Sequence, residues 1–324
     1  MRVNKKDITE IGANEKKKIR EFLHEFDGLI FHEPEFNEIV SQVFNTHFFY
    51  IVAYNHEKII GVCPLHTLKS GLIKNSYSNP SIFEVPYGGW IYNPEAAGLS
   101  SLYQNILLSA NESLTYWSTI DINDTISGSI GAYSRHVTAI IDLSHSQEEL
   151  FSGISKNTRH NVRRAQRNGV TIEEIDIDQF CELSGQLKKK VGLKDNASPF
   201  YKKITGQYGD SGMSILGAKY KDTILSAMIT IGNKYCMHAW LAGRVEELPA
   251  NLYQNELLWW ESIKWAKQMQ TRFYDLCVIE QERLPNIAIF KLGFSKNIVP
   301  FYSITKTGSG YRYINKLQKW FITK

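Results

Sequence analysis

Two stretches half a chain apart read alike, and each reads as a strand, a charged turn and a second strand. AYNHEKIIGVCPL begins at Ala53, and AKYKDTILSAMIT begins at Ala218. Without a gap, Ala53 matches Ala218, Glu57 matches Asp222, Ile59 matches Ile224 and Ile60 matches Leu225. Apolar β-formers flank a polar break in both copies, as a hairpin requires. THFFYIV precedes the first copy and GMSILG the second. A repeat at this spacing points to two related domains in tandem, and a chain of 324 residues exceeds one comfortable core. The expected division is residues 1–145 and 146–324.

The second half gives the clearer pattern. Ser146 and Glu149 form a capping box that opens the short helix SQEELFSGI. A basic helix follows over 157–168, then a strand near GVTIEEI and a helix near IDQFCELSGQLKKKVG. The strands SILGAKY and TILSAMITIG lead into KYCMHAWLAGR. A long helix over 252–270 carries Trp259, Trp260 and Trp265 on different sides, as a helix buried between layers does. RFYDLCVIE reads as a strand, NIAIFKLGF as a helix stopped by Gly293, and IVPFYSITK as a final strand. The expected class is α/β (α+β), each domain a mixed sheet flanked by helices.

Charge is uneven. The net charge is only +4, yet KNTRHNVRRAQRNGV carries Lys156, Arg159, His160, Arg163, Arg164 and Arg167 with no acid among them. On a helix these side chains share an arc about 140° wide, opposite Thr158, Val162 and Ala165. Asn157 is the expected cap, and Gly169 suits the left-handed position that ends a helix. A charge run is most often a solvated face, but such a face mixes signs because like charges four residues apart repel. A one-signed arc points to an anionic partner, phosphate first. Arg159 and Arg163 lie nearest its centre, with Lys156 and Arg167 at its ends.

Cys63, Cys181, Cys236 and Cys277 are scattered, without ligand spacing, so reduced thiols and no metal are expected. No apolar leader or run of membrane-spanning length is visible, which makes a cytoplasmic protein the expectation.

In order, KNTRHNVRRAQRNGV, NELLWWESIKWAK followed by FYDL, and IFKLGF before the last strand resemble the FemAB-like group of GNAT-fold acyltransferases. That group pairs two GNAT-like domains, and NPSIFEVPYGGWIY looks like its small-residue Pro-x-Gly-Gly segment. Fem-type members add amino acids to peptidoglycan precursors from aminoacyl-tRNA and tend to carry Arg-Gly-Pro where Tyr87-Gly88-Gly89 stands here. The resemblance therefore implies acyl transfer to a primary amine of a sugar or cell-envelope precursor, nucleotide- or lipid-linked. A coenzyme A thioester is the leading donor and aminoacyl-tRNA the alternative. A non-catalytic RNA- or membrane-binding protein on the same fold is the rival from another class.

By the same resemblance Lys291 faces the transfer site, where a cation stabilises the oxyanion, and Phe290 shapes the wall. As a residue on an apolar helix, Lys291 equally reads as a snorkelling lysine. Tyr87 lines the acceptor cleft by resemblance. Asp275 alternates with Phe273, Cys277 and Ile279 on one strand face, so it is either half of a structural pair or a general base. Glu280 is a lesser candidate, and His238 reads as a satisfied strand histidine. The tail SGYRYINKLQKWFITK spaces Tyr311, Ile314, Leu317 and Phe321 at near-helical intervals, which suits packing or a membrane surface.

Overall fold

The computed structural model describes residues 1–70, 73–78, 84–96, 98, 102, 113–118, 132–192 and 197–306. The basic tail and part of NPSIFEVPYGGWIY lie outside them. The chain forms two compact units, Met1–His136 with Pro300–Lys324, and Val137–Val299. The division falls before residue 145, and the last strand belongs to the first unit. Local patterning does not specify which sheet a terminal strand joins.

In the first unit, β1 (Arg2–Asp7) is followed by α1 (Ala13–Glu25) and α2 (Pro34–Phe44). The hairpin of β2 (His47–Asn55) and β3 (Lys58–Ser70) comes next, then β4 (Ile73–Ser78), β5 (Ile91–Tyr92) and β6 (Ser113–Ser118). Strand order is β1-β2-β3-β4-β6-β13, with β13 spanning Ile298–Lys306 and β5 pairing β3. Phe48, Tyr50, Val52 and Tyr54 of β2 pack with Ile19, Phe22 and Leu23 of α1. Phe49, Ile51 and Ala53 on the other face are buried too, which explains the unbroken apolar run.

The second unit begins within β7 (Ala132–Asp142) and continues through α3 (Gln147–Gly153), α4 (Lys156–Arg167), β8 (Val170–Glu174), α5 (Ile177–Lys190) and α6 (Ser198–Tyr208). Then come β9 (Met213–Tyr220), β10 (Thr223–Gly232), β11 (Cys236–Arg244), α7 (Gln254–Gln268), β12 (Phe273–Asp275) and α8 (Pro285–Leu292). Its sheet runs β7-β12-β11-β10-β9-β8. Strand for strand this repeats the first sheet. In each, three antiparallel pairings precede one parallel pairing and a last antiparallel one. Both units are thus mixed sheets flanked by helices, an α/β architecture.

The two similar stretches are the β2–β3 and β9–β10 hairpins. Ala53 pairs Gly61 and Ala218 pairs Ser226, the same register, and the turns place His56 (φ 52°) and Lys221 (φ 55°) at matching left-handed positions. α7 lies between the sheet and α4, with Leu257, Leu258, Trp260, Ile263 and Ala266 in one core with Val162 and Ala165. Among the described residues no helix is long and apolar enough to cross a membrane.

Candidate functional site

The basic helix is α4. Its cap is Ser155, one of the residues before the lysine, and not Asn157: the Ser155 hydroxyl oxygen accepts the Thr158 N–H at 3.2 Å. Ser155 wins because its own N–H is anchored on the Gly293 carbonyl at 2.9 Å, which sets the entry angle of the chain. Gly169 takes φ 82° at the other end. Thr158, Asn161, Val162 and Ala165 are buried, while Lys156, His160, Arg163 and Arg167 are exposed. Among the described residues none of the six basic side chains carries an ion pair.

The cations are not equivalent. Arg159 donates to the carbonyls of Ser152 and Ile154, so its guanidinium caps the C-terminal end of α3. Arg164 donates to the Tyr253 hydroxyl at 3.2 Å and lies 4.9 Å from that ring's centroid. Arg163 leans on Phe151, 5.2 Å from its ring centroid. Lys156, Arg163 and Arg167 are exposed and donate no hydrogen bond to another of the described residues, with His160 beside them. Beneath the helix, the Asn161 amide donates to Glu256 at 2.9 Å, and burial pushes that carboxyl above its usual range.

A second group of residues forms where β12 ends. His238 of β11 pairs with Asp275 across the parallel ladder, and the ladder covers only Cys236–Phe273, Met237–Tyr274 and His238–Asp275. Beyond it Cys277 takes φ 58°, a left-handed conformation that turns the chain away and stops the strand short of the expected VIE. β11 runs on to Arg244, so from Ala239 its β12-side edge extends past the ladder. Asp275 is only 1% exposed. Its Oδ2 lies 2.9 Å from His238 Nδ1, and its Oδ1 accepts the Cys277 N–H at 2.9 Å and the Thr138 hydroxyl. With both oxygens engaged, Asp275 is built as a partner for His238 and the Cys277 turn.

Lys291 of α8 approaches this turn from the other side. Its ammonium donates to the Val278 carbonyl at 2.9 Å and lies 5.9 Å from the Trp259 ring centroid. Burial pulls its pKa below the ordinary lysine value, partly offset by Cys277, Asp275 and Glu280. Burial, then the neighbouring Asp275, pushes the Cys277 thiol well up. Phe290 packs edge-on to Trp259 at 5.3 Å, so the wall expected beside Lys291 is aromatic. Glu280 pairs with Arg283 at 3.5 Å.

His238, Asp275 and Cys277 hold ligand-type atoms within 4.8 Å of one another. Loading a metal there would break the His238–Asp275 bond and ionise a thiol that burial keeps protonated, so the donor set does not fit an ion.

Tyr87 sits elsewhere. It is 1% exposed in the first unit, edge-on to Phe301 at 5.3 Å. A Cβ on Gly88 would meet the Ser78 carbonyl oxygen at 2.3 Å, and the Gly89 N–H donates to the Ser78 hydroxyl at 2.7 Å. The close approach that these glycines allow is made to β4. Thr138 and Ser155 carry no signal in the sequence that marks them for these roles, and the alternation of Cys277 with Asp275 does not show that the Cys277 N–H binds the carboxylate. Thr138 comes from a strand far back in the chain.

Comparison with known proteins adds family and fold. Residues 130–220, which include all of α4, match the FemAB family model. A comparison with curated protein sequences gives no match. Among solved structures, FemX shares 12% identity over 93% of this chain and 97% of its own, with a TM-score of 0.69. The C-terminal domain of a putative lysylphosphatidylglycerol synthetase from Agrobacterium fabrum shares 11% identity over 94% and 95%, with a TM-score of 0.57. A tandem GNAT protein from the clavulanic acid biosynthesis pathway shares 12% over 94% and 98%, at 0.52. The chain therefore has a FemAB-like, tandem GNAT fold, with its FemAB-matching segment at residues 130–220.

Proposed function

We propose that this protein is an aminoacyltransferase that moves an aminoacyl group from tRNA to a primary amine of a cell-envelope precursor. The observation that carries the reading is the exposed, one-signed face of α4 inside the FemAB-matching segment. A tRNA needs a broad positive footprint, which Lys156, Arg163 and Arg167 begin to supply. The likeness to FemX and to a lysylphosphatidylglycerol synthetase supports an aminoacyl donor over the coenzyme A thioester that the sequence put first. In the reaction the acceptor nitrogen attacks the ester carbonyl, a C–N bond forms, and the C–O bond to the tRNA ribose breaks. Lys291 is the cation for the developing oxyanion, with Phe290 and Trp259 beside it. The engaged oxygens of Asp275 favour a water-mediated path that carries the proton from the amine to the departing ribose oxygen.

Coenzyme A is the second reading. The edge of β11 beyond the β12 ladder offers backbone groups along which a pantetheine arm can lie, and the fold is shared with a tandem GNAT protein.

Titration with uncharged tRNA at two salt concentrations tests the first reading. Affinity should fall by orders of magnitude with salt, and Arg163→Ala with Arg167→Ala should reduce the log–log slope by about two. Unchanged tRNA binding in the double variant, or a shallow slope beside firm coenzyme A binding, would refute it.

A further inference from the structure

Gly293 caps α8 with φ −66° and ψ −27°, an ordinary right-handed conformation that any residue adopts. The backbone therefore gives no reason for a glycine at this position. Space does. A Cβ on Gly293 would stand 2.4 Å from the Thr158 hydroxyl oxygen of α4, about 1 Å short of ordinary contact. Thr158 is 7% exposed, and its hydroxyl lies 2.8 Å from that of Ser155. A β-branched side chain is stiff at χ1, and turning this one aside would break that bond. On the same side the Gly293 carbonyl accepts the Ser155 N–H at 2.9 Å. The glycine is there because α4 comes this close.

α8 is held at three further points. The Lys291 ammonium donates to the Val278 carbonyl at 2.9 Å. Phe290 and Phe294 pack on Trp259, with ring centroids 5.3 and 5.7 Å apart. Just past the helix, the Ser295 hydroxyl donates to the Ile140 carbonyl at 2.8 Å. A push at Gly293 cannot be relieved by moving α8 away as a whole, since a packed interior transmits strain. It tilts the helix about the other points and carries Lys291, two residues back, with it. α4 in turn has two faces. Lys156, Arg163 and Arg167 are exposed on one, and Thr158 is buried on the other against Gly293.

We propose, on the reading of α4 as the donor site and Lys291 as the oxyanion cation, that Gly293 and Thr158 are positioning residues. Their contact sets how far the Lys291 ammonium stands from a donor held on the outer face of α4. One helix then does both tasks: its cations hold the phosphates, and its buried threonine fixes the helix that carries the lysine. The ester carbonyl must stop within hydrogen-bond reach of that ammonium, and a misplacement of about 1 Å costs on the order of a hundredfold in rate. Neither residue touches the reacting atoms; both act through Lys291.

A double-mutant cycle on the full chain tests it, read with whichever of labelled aminoacyl-tRNA and acyl-coenzyme A transfers its label. Gly293→Ala should lower kcat at least about tenfold. Its KM for the donor and its affinity for uncharged tRNA should stay as in the wild type, since the outer face of α4 is untouched. In the Lys291→Met background the same substitution should lower kcat by no more than about threefold, because the group it displaces is gone. If Gly293→Ala melts below the assay temperature by circular dichroism, Thr158→Ala replaces it in the cycle. That variant withdraws the brace instead of pushing on it, and should cost about threefold in kcat only where Lys291 is present. Normal kcat in the folded variant, or a matching loss of tRNA affinity, would overturn the proposal. So would an equal loss in both backgrounds, since a merely structural role costs the same with or without the lysine. Unimpaired turnover in Lys291→Met alone would refute the oxyanion reading and the positioning role together, whereas an impaired Lys291→Met with equal losses refutes only the positioning role.

Discussion

His238 Nδ1 lies 2.9 Å from Asp275 Oδ2, and the two side chains are 1% and 2% exposed. The pair joins β11 to β12 at the last rung of their ladder. Asp275 has acceptors facing three donors: this imidazole, the Thr138 hydroxyl and the Cys277 N–H. An asparagine there must turn its NH2 toward one of those donors. Asp275→Asn should therefore cost stability, on the order of 1–3 kcal/mol for a donor left unpaired in the core. Denaturant melts and turnover should fall together. Lost turnover with unaltered stability would return Asp275 to the role of general base.

Lys291 gives a prediction about pH. Its folded pKa is lowered by burial, so the unfolded chain holds the proton more firmly. Below the folded value both states are charged and the full cost of burying the ammonium is present. Between the folded value and the ordinary lysine value the unfolded state binds more protons, and stability rises with pH. Relative to Lys291→Met, the wild type should gain stability through that alkaline window. Paired chemical melts of the two proteins check it; a gap that widens against the wild type as pH rises would contradict the burial argument. At neutral pH the methionine variant should lose about a hundredfold in turnover, the usual scale for one oxyanion donor.

The cap of α4 is testable by two substitutions. Ser155→Ala removes the acceptor for the Thr158 N–H and should cost about 1 kcal/mol, whereas Asn157→Ala should be nearly neutral. Arg159→Ala should also destabilise, because it uncaps α3, while Arg163→Ala should not. Thermal melts that rank these substitutions the other way round would put the cap back at Asn157.

Gly88→Ala probes the Tyr87-Gly88-Gly89 turn. The new Cβ would fall 2.3 Å from a backbone oxygen of β4, which cannot swing aside as a side-chain tip can. A loss of at least about 1–3 kcal/mol is expected from overpacking. Retained stability with weakened acceptor binding would restore the turn to the substrate site.

Much of this was legible in the residues. Paired hairpins announce a duplicated sheet because strand, charged turn and strand is a local pattern, and Ala53 and Ala218 carry it in matching register. The face of α4 was legible because helical period fixes which side chains share an arc. What local pattern cannot carry is partnership across the chain. Arg159 reads as a phosphate ligand until the carbonyls of Ser152 and Ile154 stand beneath it. RFYDLCVIE reads as one long strand because nothing in a cysteine announces a positive φ. α6 escaped notice because SPFYKKITGQY mixes a proline, a glycine and aromatic residues without a clean amphipathic period.

The identity of the donor separates the two chemistries. Purified protein would be offered isotopically labelled aminoacyl-tRNA and, separately, labelled acyl-coenzyme A, with an amine-bearing cell-envelope precursor as acceptor. Label should move from the aminoacyl-tRNA to the acceptor amine, and Lys291→Met should slow that transfer about a hundredfold. Transfer from acyl-coenzyme A alone, with aminoacyl-tRNA left untouched, would contradict the account.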